Sequence, residues 1–174
     1  SAAMPEIPVE HIGDLEALVG VVCRQAVEAV PGSEVSYSPL TGHAVLAEIV
    51  RRLDGGARSF RQILTDEVLV PLGMRDTALG LRADLAARRV PVVVRDRTPG
   101  LFPPEALEGF NFLLTEASEL PAAGVVATAA DVFRYAETLR RGGELDGVRI
   151  LLPATLHLAT TNHTGLRPNR LWNY

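Results

Sequence analysis

Apolar residues recur at spacings of three and four from residue 15, where "LEALVGVVCRQAVEAV" places Leu15, Leu18, Val22, Ala26 and Val30 on one stripe. That period predicts an amphipathic helix, opened by Asp14 as its N-cap and ended by Pro31-Gly32. A second helix is predicted over His43 to Leu53, with Val45, Leu46, Ile49, Val50 and Leu53 as its buried face and Arg51 and Arg52 complementing the negative end of its macrodipole. Asp54-Gly55-Gly56 stops it. Ser59 and Gln62 then form the sequence signature of a capping box ahead of "FRQILTDEVLV", a third helix that Pro71 closes.

Beyond Gly73 the texture changes. "RVPVVVRDR" is a strand candidate, and the four prolines from Pro91 to Pro104 predict a loop-dominated excursion running into "EALEGFNFL". After Pro121 the short apolar "AAGVVAT" is strand-like, and Thr128 with Asp131 caps a helix whose apolar side carries Val132, Phe133, Ala136 and Leu139. Gly142-Gly143 terminates that helix. Asp146-Gly147 between "EL" and "VRIL" is a hairpin signal, and Pro153 suits the first position of a last short helix, "PATLHLATT". No internal repeat is present.

A chain of 174 residues predicts one domain with a real core. Its formal charge of −4 gives no basic field for phosphates, which argues against nucleic acid and against anionic membrane surfaces as partners. The two helices around residue 55 invite comparison with a helix-turn-helix, but no basic recognition face follows. No apolar run reaches the roughly 20 residues of a membrane helix. The opening "SAAMPEIPVEH" lacks the basic-then-apolar order of a secretory signal, so the expectation is a cytoplasmic chain or one whose true beginning is missing.

Cysteine and histidine exclude further classes. Cys23 is the single cysteine and is expected as a small buried thiol on the first helix. His11, His43, His157 and His163 are scattered, with no ligand-pair spacing, so neither a metal nor another cofactor is expected. Phosphate-cradling glycine loops are missing, as is the Gly-x-Ser-x-Gly nucleophile elbow. All 17 basic residues are arginine; there is no lysine.

Three blocks in order carry a family likeness: "PGSEVSYSPLTGHAVLAEIVRRLDGG", "SFRQILTDEVLVPLGMRDTALGL" and "PAAGVVATAADVFRYAETLRRGGELDGVRILLPATLHLATTNHTG". They resemble the middle of the serine beta-lactamase, penicillin-binding-protein-like and esterase family, of class C type, over more than half of the chain. The resemblance implies an α/β (α+β) fold, with an antiparallel sheet flanked by helices and a mostly helical subdomain facing the cleft. Residues 1–174 would supply most of that helical part with a few short strands, and the nucleophile segment and the C-terminal sheet strands would be absent.

The resemblance further implies acyl transfer through an acyl-enzyme, with a Ser-x-x-Lys as nucleophile and lysine and a Tyr-x-Asn whose phenol relays protons. Tyr37 matches that tyrosine; Ser38 follows it, and Pro39 stands where the asparagine would be. A prolyl ring offers no amide to hold a lactam, which shifts weight toward ester cleavage or acyl transfer. Ala123 and Gly124 resemble the small residues at a strand end beside the acyl group, and Phe102, Phe110 and Phe112 are candidates for an acyl-binding wall or for plain core packing.

With no lysine, Ser-x-x-Lys cannot occur in this chain. A phenol titrates at about pH 10, so lowering one to neutrality takes roughly 4 kcal/mol, the order supplied by one ammonium about 4 Å away at an effective dielectric near 20. Tyr37 is therefore expected to relay protons in the parent enzyme and to be inert in this chain alone. The expected partners are a small ester or amide substrate and the remaining segments of the same enzyme or a second copy. The alternatives are a non-catalytic binding module derived from the same fold, or an unrelated regulatory helical bundle. A lone tyrosine after a turn is, on structural grounds alone, simply packed with its hydroxyl bonded to backbone.

Overall fold

Asp14 accepts the Ala17 N–H at 3.0 Å and opens α1 (Leu15–Arg24). The structure is a computed structural model and describes residues 7–8, 11–98 and 103–167. α1 stops well short of the end of its apolar stripe. Leu15 and Leu18 are buried, but Val27 and Val30 are 79% and 75% exposed, so no packing surface holds further turns and the backbone becomes extended at Gln25. Cys23 is exposed, not buried as expected, because the face of α1 that meets α2 runs through Leu15 and Leu18.

α2 (Thr41–Leu53) lies where the sequence predicts it, yet it buries the other face. Ala44 and Ala47 are sealed and pack with Leu15, Leu18 and Leu120, whereas Leu46 is 62% and Leu53 83% exposed. Two alanines let the neighbouring leucines approach the α2 backbone closely, which the bulkier side would not allow. The expected core face, Val45, Leu46, Ile49, Val50 and Leu53, is thus an open apolar strip. Gly56 and Gly55 donate to the Arg51 and Arg52 carbonyls at 2.9 and 3.0 Å, the paired bonds that close a helix C-terminus.

The capping box forms as read, with Ser59 Oγ accepting from Gln62 N–H and the Gln62 side chain accepting from Ser59 N–H. α3 (Phe60–Leu64) continues into one π-helical turn, Thr65–Leu69, before Pro71. β1 (Ala78–Leu79) pairs antiparallel with β2 (Val125–Val126) in the register Ala78 to Val126 and Leu79 to Val125. A 3-10 turn over Ala83–Arg88 follows β1.

The stretch "RVPVVVRDR" has no regular secondary structure and pairs with no strand among the described residues. The side-chain amide of Asn111 takes both the N–H and the carbonyl of Val92, each at 2.9 Å, so a side chain stands where a neighbouring strand would be. The proline-rich excursion, expected as loop, contains a ten-residue helix, α4 (Pro104–Leu113). Pro104 sits in its first turn, where the missing N–H costs no bond.

Thr128 accepts the Asp131 N–H at 3.3 Å and starts α5 (Ala129–Arg140). Its buried positions are Asp131 and Thr138; Val132 and Phe133, expected inside, are 53% and 66% exposed. β3 (Glu144–Leu145) and β4 (Val148–Arg149) form the predicted hairpin, with Asp146 and Gly147 both at positive φ as a two-residue turn of this type requires. α6 (Pro153–Ala159) closes the described chain.

Burial divides into two clusters. One joins α1, α2 and Leu120; the other joins Leu69, Leu72, Met74 and Leu145 beneath the hairpin. Arg134 ties the second together from α5, donating from Nε to the Leu72 carbonyl at 2.6 Å and from Nη2 to Asp146 at 2.8 Å.

Candidate functional site

Tyr37 lies in the segment that leads into α2 and is 42% exposed. A residue sealed in hydrocarbon could not exchange protons with a substrate; Tyr37 is open to solvent. Ser38 is engaged locally. Its Oγ accepts the Thr41 N–H at 3.0 Å and shares a short hydrogen bond with the Thr41 hydroxyl, so it satisfies a free donor in the first turn of α2 and holds the residue before it at the start of that helix.

Ala123 and Gly124 lie on a different element, the turn that delivers the chain into β2. Ala123 adopts φ +62°, a left-handed conformation that costs an L-residue roughly 1–2 kcal/mol. Gly124 is buried, and a Cβ there would lie 2.1 Å from the Leu120 carbonyl oxygen, so only glycine fits this approach. Its own carbonyl accepts the Gly80 N–H at 2.8 Å, one bond beyond the β1–β2 ladder. Sequence reasoning left Gly80 out, although an isolated glycine in the apolar run "ALGL" signals a close backbone approach.

Phe110 packs against the α1–α2 cluster, Phe112 is 82% exposed, and Phe102 lies outside the described residues. A cleft of about 650 Å³ opens between the start of α1 and the segment after α4, lined among others by Asp14, Glu16, Arg51, Arg58, Ser118 and Glu119. None of Tyr37, Ser38, Ala123 and Gly124 lines it.

Arginine–carboxylate pairs set the electrostatics around α2. Hydrogen bonds from Arg51 and then Arg52 hold the Glu48 carboxyl below its usual range, and Arg58 does the same to Asp54. Among the described residues no group of three His, Cys, Asp or Glu is arranged to hold a metal ion. Among the described residues no helix is long and apolar enough to cross a membrane.

The beta-lactamase family model matches residues 2–172, and the chain belongs to that family. Among curated proteins it is 32% identical over 145 residues to Protein Rv1367c of Mycobacterium tuberculosis (strain ATCC 25618 / H37Rv), covering 76% of this chain and 31% of that protein. An uncharacterised protein of strain CDC 1551 / Oshkosh matches to the same extent.

Solved structures agree on the fold. A penicillin-binding-protein homologue from Caulobacter crescentus superposes with a TM-score of 0.70 at 27% identity, over 90% of this chain and 44% of that one. EstCE1, a hydrolase with promiscuous acyltransferase activity, gives 0.59 at 28% identity, over 83% and 39%. A putative beta-lactamase from Bacteroides dorei gives 0.67 at 15% identity, over 100% and 43%, a likeness of fold. The chain spans about a third of the length of the curated relatives and under half of these structures.

Proposed function

We propose that this chain is part of a serine-dependent acyl hydrolase or acyltransferase that cleaves an ester, or less readily an amide, through an acyl-enzyme. Tyr37 is the proton relay. It accepts the proton of a nucleophilic serine as the Oγ–carbonyl bond forms, and returns it to the alkoxide as the bond to the leaving group breaks. Ser38, Ala123 and Gly124 lie beside the acyl group. The observation that carries this reading is the solvent exposure of Tyr37, just ahead of a helix whose Thr41 N–H is taken by Ser38 Oγ, in a chain of this family. The esterase neighbour and Pro39 in place of an amide favour an ester over a lactam.

Because the chain has no lysine, the polypeptide of 174 residues is inert toward a chromogenic ester and takes no fluorophosphonate adduct. A longer polypeptide that supplies a Ser-x-x-Lys gains one adduct, and Tyr37→Phe slows its acylation by about 10²-fold or more. Turnover by the 174-residue chain that Tyr37→Phe abolishes, or acylation of the longer one that Tyr37→Phe leaves intact, overturns the reading.

The open strip on α2 supports a further part of the proposal, that remaining segments of the same enzyme cover Leu46, Ile49 and Leu53. The same strip favours one alternative, a non-catalytic module that binds a partner through this face. The two differ in labelling: a binding module takes no phosphonate in any longer polypeptide.

A further inference from the structure

Consecutive amides on the far side of β1 grip both ends of one segment. Gly80 N–H donates to the Gly124 carbonyl at 2.8 Å, and Leu81 N–H donates to the Thr115 carbonyl at 3.0 Å. Between those points the chain folds into two tight pieces. Ser118 is buried, donating from Oγ to the Leu113 carbonyl at 2.5 Å and accepting the Thr115 N–H at 3.0 Å, while Leu120 is sealed in the α1–α2 cluster and its carbonyl lies against Gly124. Glu119 N–H donates to the Gly13 carbonyl at 2.7 Å. Residues 115 to 124 are therefore one strap with few ways to move.

Arg61 on α3 is the side chain that enters this strap from outside. Its Nη1 donates to the Glu116 carbonyl at 2.5 Å and its Nη2 to the Ser118 carbonyl at 2.6 Å. Most arginines with hydrogen bonds in this structure meet a carboxylate; the guanidinium of Arg61 instead spans two carbonyls two residues apart, a task for a planar fork and not for a point charge. The fit is close. A Cβ on Gly80 would stand 2.6 Å from the Ser118 carbonyl, 2.8 Å from that of Thr115 and 3.2 Å from Arg61 Nη2.

We propose that Arg61 is a positioning residue for Ala123 and Gly124, acting through the Thr115–Ser118 turn and the strap that joins it to the β2 strand end. Arg61 touches neither residue. It fixes the turn, Leu120 anchors the middle, and Gly80-Leu81 transmit the turn's position to Gly124 as a pair of adjacent hydrogen bonds. That the positioned residues face an acyl group rests on the reading under Proposed function; the mechanical link does not.

Amide hydrogen exchange on the 174-residue chain, together with the amide resonances of Ala123 and Gly124, tests the link in Arg61→Met and Arg61→Lys. Both variants should raise exchange at Gly80, Leu81 and Glu119 by tenfold or more and displace the Ala123 and Gly124 resonances. Ile150, whose N–H donates to Gly143 under the hairpin at 3.0 Å, should keep its protection. The proposal falls if the change is confined to residues 116–118, if Arg61→Lys keeps wild-type exchange, or if every amide, Ile150 included, loses protection together. Should Arg61→Met not fold, Arg61→Lys alone decides. An absent phosphonate adduct in the longer polypeptide would remove the acyl-transfer reading and leave these exchange outcomes to stand or fall independently.

Discussion

Thr77 donates its hydroxyl to Asp131 at 2.8 Å across 54 residues of sequence, and the same carboxylate oxygen receives the Asp76 N–H at 2.9 Å. Both Thr77 and Asp131 are buried, so the bond between them is formed out of water, and the Asp76 bond lies at its edge. Through this pair the segment before β1 is fastened to the first turn of α5.

Replacing Asp131 by Ala leaves a buried hydroxyl and a backbone N–H unpaired. The expected loss is about 3 kcal/mol, from two hydrogen bonds to a charged acceptor. Asp131→Asn keeps one acceptor oxygen and should lose about half as much. Urea unfolding followed by far-UV circular dichroism checks both, and an Asp131→Ala midpoint equal to that of the parent chain would show that the pair contributes nothing.

Glu137 carries a pH dependence of definite sign. Hydrogen bonds from Arg140 and then Arg141 hold its carboxyl down at about 2, against about 4.3 in an unfolded chain. A depressed folded value means that the stabilisation is complete above about pH 4.3 and is lost as pH falls through about 2. Thermal midpoints should drop across that window, and Glu137→Gln should flatten this part of the drop. Salt should shrink the difference, since both arginines are exposed.

Gly124→Ala should cost roughly 2–3 kcal/mol, because the added carbon meets a backbone carbonyl that has nowhere to go. The measurement is a denaturant midpoint at constant slope. An unchanged midpoint would mean that the Leu120–Gly124 turn opens without penalty.

Leu46→Gln combined with Leu53→Gln should leave stability within about 0.5 kcal/mol, since neither side chain is buried. If this face is sticky in isolation, sedimentation velocity will show the parent chain associating and the double variant remaining monomeric. Association undiminished in the double variant would move the contact to another surface.

How much of this was legible in the sequence depends on how far each decision reaches along the chain. The Asp14, Ser59 and Thr128 caps, the stops at Gly55-Gly56 and Gly142-Gly143, and the Asp146-Gly147 turn all formed as read, because each is settled by residues within about four positions. The buried face of α2 was misread for the opposite reason. Hydrophobicity ranks Leu46 and Leu53 above Ala44 and Ala47, but the partner, Leu18 on α1, is chosen by tertiary packing that favours the flatter surface.

The same limit applies to the candidate site. Tyr37 and Gly124 are candidates through ordered blocks that resemble a family, and the family assignment holds over residues 2–172. Arg61 was invisible as anything but a charge on a helix, because its two acceptors lie 55 and 57 residues away and are backbone atoms that any sequence would supply. The strand expected in "RVPVVVRDR" failed likewise, since Asn111 occupies the Val92 backbone from a distant helix.

The separation of burial into an α1–α2–Leu120 cluster and a Leu69–Leu72–Met74–Leu145 cluster has a dynamic consequence. Each is small, and the second is stitched internally by Arg134. Warming should therefore dismantle this polypeptide by halves, with the hairpin half and the paired-helix half each releasing as a cooperative block at its own temperature.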